Sequence, residues 1–137
     1  MSPRRFVFDS YAVLALMEDE PGAQRVAEII ADEAAELYLS VINLGEIYYI
    51  IARREGEPAA EEVVRGVMEE ESLVLAEATW PRVKEAARIK AGGGLSYADA
   101  FVLALSLEIG APLVTGDPEI RAAAGRLGVE VVWICES

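Results

Sequence analysis

Four acidic residues stand at comparable places in the chain, each where an apolar run ends or a helix begins. They are Asp9, Glu46, Asp99 and Asp117. Asp9 ends the β-rich run RRFVFD, and Asp117 follows the run APLVTG. Glu46 and Asp99 precede the apolar stretches IYYII and AFVLAL, where a charged group is unfavourable unless something pairs with it. A shared cleft would account for all four placements.

Carboxylates that meet in a poorly solvated cleft repel one another, and this repulsion raises some of their pKa values. A divalent cation removes the conflict, and Mg²⁺ or Mn²⁺ prefers oxygen ligands. The chain has no histidine, which excludes Ser-His-Asp and Cys-His catalysis and histidine-containing zinc sites. Because such a cation can activate water and neutralise charge on a phosphoryl oxygen, these residue types favour phosphodiester hydrolysis.

Helix capping is an alternative role for each of these acids. Asp117 is followed by proline, a pair typical of an N-cap and the first helical position. The motif S-x-x-D that begins at Ser96 has capping-box spacing, and Asn43 has the same spacing from Glu46. Asp9 could cap a short helix. Capping does not explain why two acids precede the most apolar helices, so both roles stay open.

Strand and helix patterns alternate along the chain. Strands are predicted in RRFVFD, ELYLS, SLVLAEA, APLVTGD and VEVVWI. Helices are predicted from Ser10 to near EDEPG, in GAQRVAEIIADE, INLGEIYYIIARREG, EPAAEEVVRGVMEEE and TWPRVKEAARIKAGGG, from LSYADAFVLALS to Gly110, and in PEIRAAAGRLG. This alternation predicts an α/β sandwich around a mainly parallel sheet. The carboxyl ends of its strands would share one edge, where ligands bind.

Composition limits the class of protein. The 137 residues, 53% hydrophobic and 26% charged, are predicted to form a single domain, 1–137. No apolar run approaches the roughly 20 residues that span a bilayer, so we expect a soluble cytoplasmic protein without membrane association. The single cysteine, Cys135, cannot form an intrachain disulfide and is expected to be inert. The net charge of −12 repels nucleic acid at long range, and a bound cation would reverse that sign locally.

Four segments resemble the acidic motifs of PIN-domain ribonucleases, in that family's order: FVFDSYAVLAL, SVINLGEIYYI, LSYADAFVLALS and LVTGDPEI. The ending VEVVWI resembles the family's last strand. The match is best with VapC-like toxins of type II toxin–antitoxin pairs in bacteria and archaea. The resemblance spans nearly the whole chain. It implies a three-layer α/β/α sandwich with a mainly parallel five-stranded sheet.

The same resemblance implies a Mg²⁺- or Mn²⁺-dependent endoribonuclease. Its four catalytic acids map to Asp9, Glu46, Asp99 and Asp117. Asp9 and Asp99 would be the principal metal ligands. Glu46 and Asp117 would complete the cluster through the metal, its waters or a second ion.

Three further positions follow from the motifs. Ser10 and Thr115 match hydroxyl positions with supporting hydrogen-bond roles, although they could equally be an N-terminal turn residue and a strand-end residue. The family often has an aromatic residue where this chain has Ile120, and this departure predicts looser packing near Asp117.

The resemblance implies an RNA substrate, a homodimer and a small antitoxin whose segment covers the acidic cleft and inserts a basic side chain. The apolar run from Tyr48 to Ile51 could be part of an interface or an ordinary core face. Basic residues between Arg82 and Lys90 could contact RNA, or form a solvated face paired with Glu85.

Two other functions fit parts of the sequence. A haloacid-dehalogenase-like phosphatase also uses an Asp at a strand end with Mg²⁺, but its motif has a second Asp where this chain has Tyr11. A catalytically silent PIN-fold binding module would keep the fold and the partner surface without turnover.

Overall fold

The computed structural model describes residues 4–135. Five strands form the sheet: β1 Arg4–Phe8, β2 Ala35–Ser40, β3 Leu73–Ala76, β4 Leu113–Thr115 and β5 Val131–Trp133. Seven helices connect them: α1 Ser10–Met17, α2 Ala23–Ala31, α3 Val41–Glu55, α4 Glu57–Met68, α5 Trp80–Ala91, α6 Tyr97–Ile109 and α7 Pro118–Leu127. Each of the predicted strands and helices is present. These predictions used only the spacing of apolar residues and the residues that begin or end an element, and both are properties of short segments.

Every pairing among the described strands is parallel, and the strand order is β3-β2-β1-β4-β5. The chain therefore builds outward from β1 to β3 on one side and then returns to place β4 on the other side of β1. The carboxyl ends of β1 and β4 form the point where the strand order reverses. In open α/β sheets this is the place where ligands bind.

Helices cover both faces of the sheet. Phe6 and Phe8 of β1 pack into a core with α1, α2, α3 and α4. Val7, which points to the opposite face, packs with α6, α7 and Leu113. The sheet is thus buried on both sides, as parallel sheets normally are. The α/β/α sandwich implied by the resemblance is confirmed.

Burial of α6 on two sides explains its nearly uniform apolar sequence. Val102 and Leu103 pack with the sheet and α7, whereas Phe101 and Ala104 pack with α5. All residues from Ala100 to Ser106 are buried. The charged residues of this helix lie only near its two ends, Asp99 in the first turn and Glu108 in the last. Within residues 4–135 no helix is both long enough and apolar enough to cross a bilayer.

The burial of α6 can be tested with two leucines on this helix. Leu103 is fully buried, whereas Leu107 is 47% exposed. We expect Leu103→Ala to lower the free energy of unfolding by about 2–5 kcal/mol, because it removes core contacts and leaves a cavity. Leu107→Ala should lower it by less than about 1 kcal/mol. Urea unfolding of both variants measures the difference, and equal losses would contradict this account of α6.

Candidate functional site

The four acids lie around one cleft at the carboxyl edge of the sheet. Asp9 follows β1, Asp117 follows β4 by two residues, Glu46 lies in the second turn of α3, and Asp99 lies in the first turn of α6. All four line a cavity of about 180 Å³. Its other lining residues are Ser10, Tyr11, Leu14, Ile50 and Ile120. The structure therefore brings together residues that are up to 108 positions apart in the chain, from Asp9 to Asp117.

Three of these acids also take part in helix capping. The Asp9 carboxylate accepts a hydrogen bond from the Ala12 N–H at 2.8 Å, and that of Asp117 accepts one from Glu119 at 2.8 Å. The Ser96 hydroxyl accepts a bond from the Asp99 N–H at 3.1 Å. Capping and a shared cleft are thus compatible, since the amino-terminal ends of α1, α6 and α7 meet at this edge.

Asn43 does not cap α3. The N-cap is Ser40, whose hydroxyl accepts a hydrogen bond from the Ile42 N–H at 3.2 Å. Asn43 is the third residue of the helix, and its side chain is buried. The equal spacing of Asn43–Glu46 and Ser96–Asp99 is therefore misleading, because α3 begins directly where β2 ends.

Thr115 links the first and fourth acids. Its hydroxyl donates to the Asp9 carboxylate and accepts from the Asp117 N–H at 3.0 Å. Asp9 and Thr115 are both almost completely buried. Thr115 is the last residue of β4, as the strand-end alternative predicts. Its hydroxyl also makes a hydrogen bond to Asp9, as expected for a supporting residue.

Ser10 links the first and second acids. It is the first residue of α1, and its hydroxyl donates to the Glu46 carboxylate. The same oxygen accepts a hydrogen bond from the Asn43 amide nitrogen at 3.3 Å. That nitrogen also donates to the Ala98 carbonyl at 3.3 Å, one residue before Asp99. The contacts of Asn43 with Ser10 and α6 were not predicted, and the signal for them was a polar amide within an apolar helix start.

Burial raises the pKa of two of the four acids. The pKa of Asp9 rises to about 7, mainly because desolvation disfavours its charged form; hydrogen bonds from Thr115 and Ala12 oppose this, and the charges of Asp117 and Asp99 add to it. Burial likewise raises the pKa of Asp99 to about 6. The direction predicted from mutual repulsion is correct, but burial is the larger cause.

The residues around the cleft fit a hard divalent cation. Asp9 and Asp99 offer carboxylate oxygens, and the neighbouring charges of Asp117 and the other acids help to raise the pKa of both. The five ion pairs formed within residues 4–135 involve none of the four acids. Oxygen donors without histidine or thiolate suit Mg²⁺ or Mn²⁺. In the described part of the chain, however, no three acidic or cysteine side chains form a close-set group of metal ligands.

Tyr11 forms one wall of the cleft and lies against the backbone between Thr115 and Asp117. A Cβ atom on Gly116 would clash with the Tyr11 ring and with the Cys135 sulfur, so glycine allows this close approach. The Tyr11 hydroxyl and the Cys135 sulfur are 3.5 Å apart. This contact is the main cause that raises the pKa of Tyr11 to about 12.

Ile120 stands where the family often has an aromatic residue. It is only 2% exposed and belongs to the core formed with α6 and β4, and it also lines the cleft. Looser packing near Asp117 stays a prediction.

Most cations of α5 are already paired. Arg82 donates to the Glu108 carboxylate at 3.0 and 3.1 Å. Arg88 lies 3.7 Å from Glu85, and Lys90 donates to the Leu95 carbonyl at 2.8 Å. These contacts favour the solvated, paired face over an RNA-contacting ridge.

The apolar run in α3 faces both the core and the surface. Ile47 and Ile51 are buried in the core with the sheet, whereas Tyr49 is 51% exposed. The Tyr48 hydroxyl donates to Glu61 of α4. Part of this run is thus ordinary core, and Tyr49 is the residue left to an external surface.

Comparison with known proteins identifies the family. The PIN domain profile matches residues 6–126, and the chain belongs to the PIN domain family. The phosphatase alternative is not supported by this result. Comparison with curated proteins gave no significant match.

Solved structures with the same fold include toxin and toxin–antitoxin proteins. VapC20 of Mycobacterium tuberculosis, described as a sarcin-ricin loop cleaving toxin, is 19% identical with a TM-score of 0.71, covering 87% of this chain and 94% of its own. DNA-bound VapBC of Salmonella typhimurium is 15% identical with a TM-score of 0.72, covering 96% and 99%. PAE2754 of Pyrobaculum aerophilum is 23% identical with a TM-score of 0.65, covering 90% and 86%. At these identities the likeness shows the fold.

The raised pKa of Asp9 predicts a specific pH dependence of stability. Between about pH 4 and pH 7 the folded chain holds a proton on Asp9 that the unfolded chain has released, so Asp9 lowers stability as pH rises through this window. With a chelator present, the free energy of unfolding of Asp9→Asn, relative to that of the wild type, should rise by roughly a few kcal/mol from pH 4 to pH 8. Urea unfolding across this range measures the gain.

Glu28→Gln is the matched control, because it removes an exposed carboxylate on α2. It should change the free energy of unfolding by less than about 0.5 kcal/mol at either pH. A difference between Asp9→Asn and the wild type that stays constant with pH would contradict the burial of a titrating carboxylate.

Proposed function

We propose that this protein is a divalent-metal-dependent endoribonuclease and the toxin of a toxin–antitoxin pair, acting in the cytoplasm. The observation that carries the proposal is the meeting of four carboxylates in one cleft of a PIN-domain chain. Its structural likeness to VapC and VapBC proteins agrees with this proposal. An acidic chain with a net charge of −12 needs local cations to bind RNA, and a metal in the cleft would supply them.

In this proposal Asp9 and Asp99 hold the ion, Mg²⁺ or Mn²⁺. When bound, the ion lowers the pKa of water and neutralises charge that develops on the phosphoryl oxygens. The Ala12 N–H and the Thr115 hydroxyl fix both carboxylate oxygens of Asp9. Glu46, oriented by Ser10, and Asp117 would complete the cluster through the ion, its waters or a second ion, and would orient or deprotonate the attacking water.

The pKa values favour this chemistry at neutral to alkaline pH. Asp9 and Asp99, with pKa values of about 7 and 6, must lose their protons before they bind a cation. Metal binding should therefore strengthen as pH rises through this range. The same deprotonation destabilises the fold without an ion, so ion binding and stability are linked.

Cleavage of RNA is the direct test of the enzyme. Purified protein with Mn²⁺ should cleave members of an RNA panel, and chelator should abolish the cleavage. Asp9→Asn and Asp99→Asn, which remove the proposed ligands, should each lower the rate by at least the roughly 10–100-fold that outer-shell changes cost. The rate of product formation on labelled RNA is the measurement.

Glu28→Gln again serves as the control and should keep the wild-type rate. Circular dichroism establishes that each Asp→Asn variant remains folded. Equal cleavage by wild type and both variants in chelator would refute the assignment. Mn²⁺ binding without cleavage of any RNA would instead favour the catalytically silent binding module.

We further propose a homodimer and a small antitoxin that covers the cleft with a basic side chain. The cleft offers carboxylates that no cation of the described chain pairs with. A Lys or Arg from a partner would satisfy the same charges that attract a metal. The exposed Tyr49 on α3 is a candidate contact for the second copy or for the partner.

A short reading frame beside the gene, with a DNA-binding pattern, would encode the expected antitoxin. Its product should co-purify with this chain and stop RNA cleavage, because its basic side chain competes with the metal. Asp9→Asn should weaken the complex between this chain and the antitoxin. Size-exclusion chromatography with light scattering measures the amount of this complex, and the same experiment gives the mass of the proposed homodimer. A neighbouring product that neither binds nor inhibits would contradict the toxin assignment and leave the nuclease assignment intact.

A further inference from the structure

Asn43 connects the three helices that bear on one side of the cleft. It is 1% exposed and lies in α3, one turn before Glu46. Its amide nitrogen donates to the Ser10 hydroxyl at the start of α1 and to the Ala98 carbonyl in α6, both at 3.3 Å. These acceptors adjoin Asp9 and Asp99 in sequence. A single buried group therefore spans the two proposed metal ligands.

The orientation of this amide is determined by its surroundings. Rotation by 180° would place the side-chain oxygen against the Ala98 carbonyl, where two acceptors would face each other. In the observed orientation the side-chain oxygen has no hydrogen-bond partner within residues 4–135. The Asn43 side chain therefore acts on its surroundings through the two bonds of its nitrogen, and both lead to residues beside the proposed metal ligands.

The bond to Ser10 also directs the Ser10 proton. A hydroxyl has one proton and accepts through its lone pairs. The Asn43 amide occupies a lone pair of the Ser10 oxygen, and the proton of Ser10 goes to the Glu46 carboxylate. The Asn43 main-chain carbonyl lies 3.3 Å from the same hydroxyl and is the weaker, neutral acceptor for that proton. Loss of the amide would remove a donor to the Ser10 oxygen and loosen its placement against Glu46. Asn43 would then set the direction of Glu46 as well as the spacing of the helices.

We propose that Asn43 is a positioning residue of the acidic cleft, which joins Ser10 to the start of α6 and thereby sets the placement of Glu46 and Asp99 for metal binding. This inference rests on the proposed metal-dependent function. Partners behind a metal ligand typically change affinity by about 10–100-fold when they are removed. Asn43 acts through Ser10 and α6 and is not itself assigned as a ligand.

The test is the affinity of the full chain for Mn²⁺ alone. It is measured from the electron paramagnetic resonance signal of the Mn²⁺ that remains free in solution. Asn43→Ala should weaken the affinity by about 10–100-fold. Ser106→Ala is the matched control. Ser106 lies in α6, and its buried hydroxyl donates to the main-chain carbonyl of Ala111, so this variant also removes a buried donor to a carbonyl. It should change Mn²⁺ affinity less than about twofold, although both variants lower the thermal midpoint. Saturating Mn²⁺ should restore RNA cleavage by Asn43→Ala, which general structural damage would not allow.

A double-mutant cycle separates positioning from independent effects. If Asn43 acts through Ser10, the fold-loss of Mn²⁺ affinity in Asn43→Ala/Ser10→Ala is smaller than the product of the two single fold-losses. A fold-loss equal to that product would show independent effects and overturn the proposed link. Should Asn43→Ala fail to fold, Asn43→Ser replaces it, because one hydroxyl proton cannot serve both acceptors.

The remaining outcomes are distinct. Wild-type Mn²⁺ affinity in Asn43→Ala, with affinity lost in Asp9→Asn, would overturn the role of Asn43 and leave the proposed function standing. Equal Mn²⁺ binding by wild type and Asp9→Asn, or none by either, would overturn the proposed function and this inference together.

Discussion

The buried carboxylate of Asp9 imposes the main constraint on this edge of the molecule. Its side chain is 1% exposed, and burial raises its pKa to about 7. The fold offsets part of this unfavourable burial with hydrogen bonds from Ala12 and Thr115. Both donors exist only because α1 begins directly after β1 and β4 lies beside β1. The position of Asp9 is thus a consequence of the reversal in strand order.

Helix starts supply the rest of the cleft. Backbone N–H groups at helix starts favour acceptors, and α1, α6 and α7 all begin at this edge. The Asp9 and Asp117 carboxylates, which cap α1 and α7, come to this edge in that way. Asp99 joins them from the first turn of α6, whose N-cap is Ser96, and Glu46 joins them from α3. Under the proposed function, a bound cation or a basic side chain of a partner would balance their shared charge.

The hydroxyl and amide groups behind the acids give the cleft its order. Thr115 connects Asp9 with the backbone of Asp117, and Ser10 connects α1 with Glu46. Asn43 extends this second connection to α6 through the Ala98 carbonyl. Each connection joins elements that are distant along the chain, so the cleft holds its shape only while the helices stay packed on the sheet. Site geometry and core packing are therefore coupled.

The sequence by itself determined the strands, the helices, the parallel class of the sheet and which four acids line the cleft. Those properties depend on local periodicity, on end signals such as Asp117 before a proline, and on motif order. Only the tertiary structure decided the contacts of Asn43, the N-cap at Ser40, the burial of Ile120 and the contact of Tyr11 with Cys135. These depend on which side chains meet across elements, and spacing along one helix holds no information about the neighbour that packs against it.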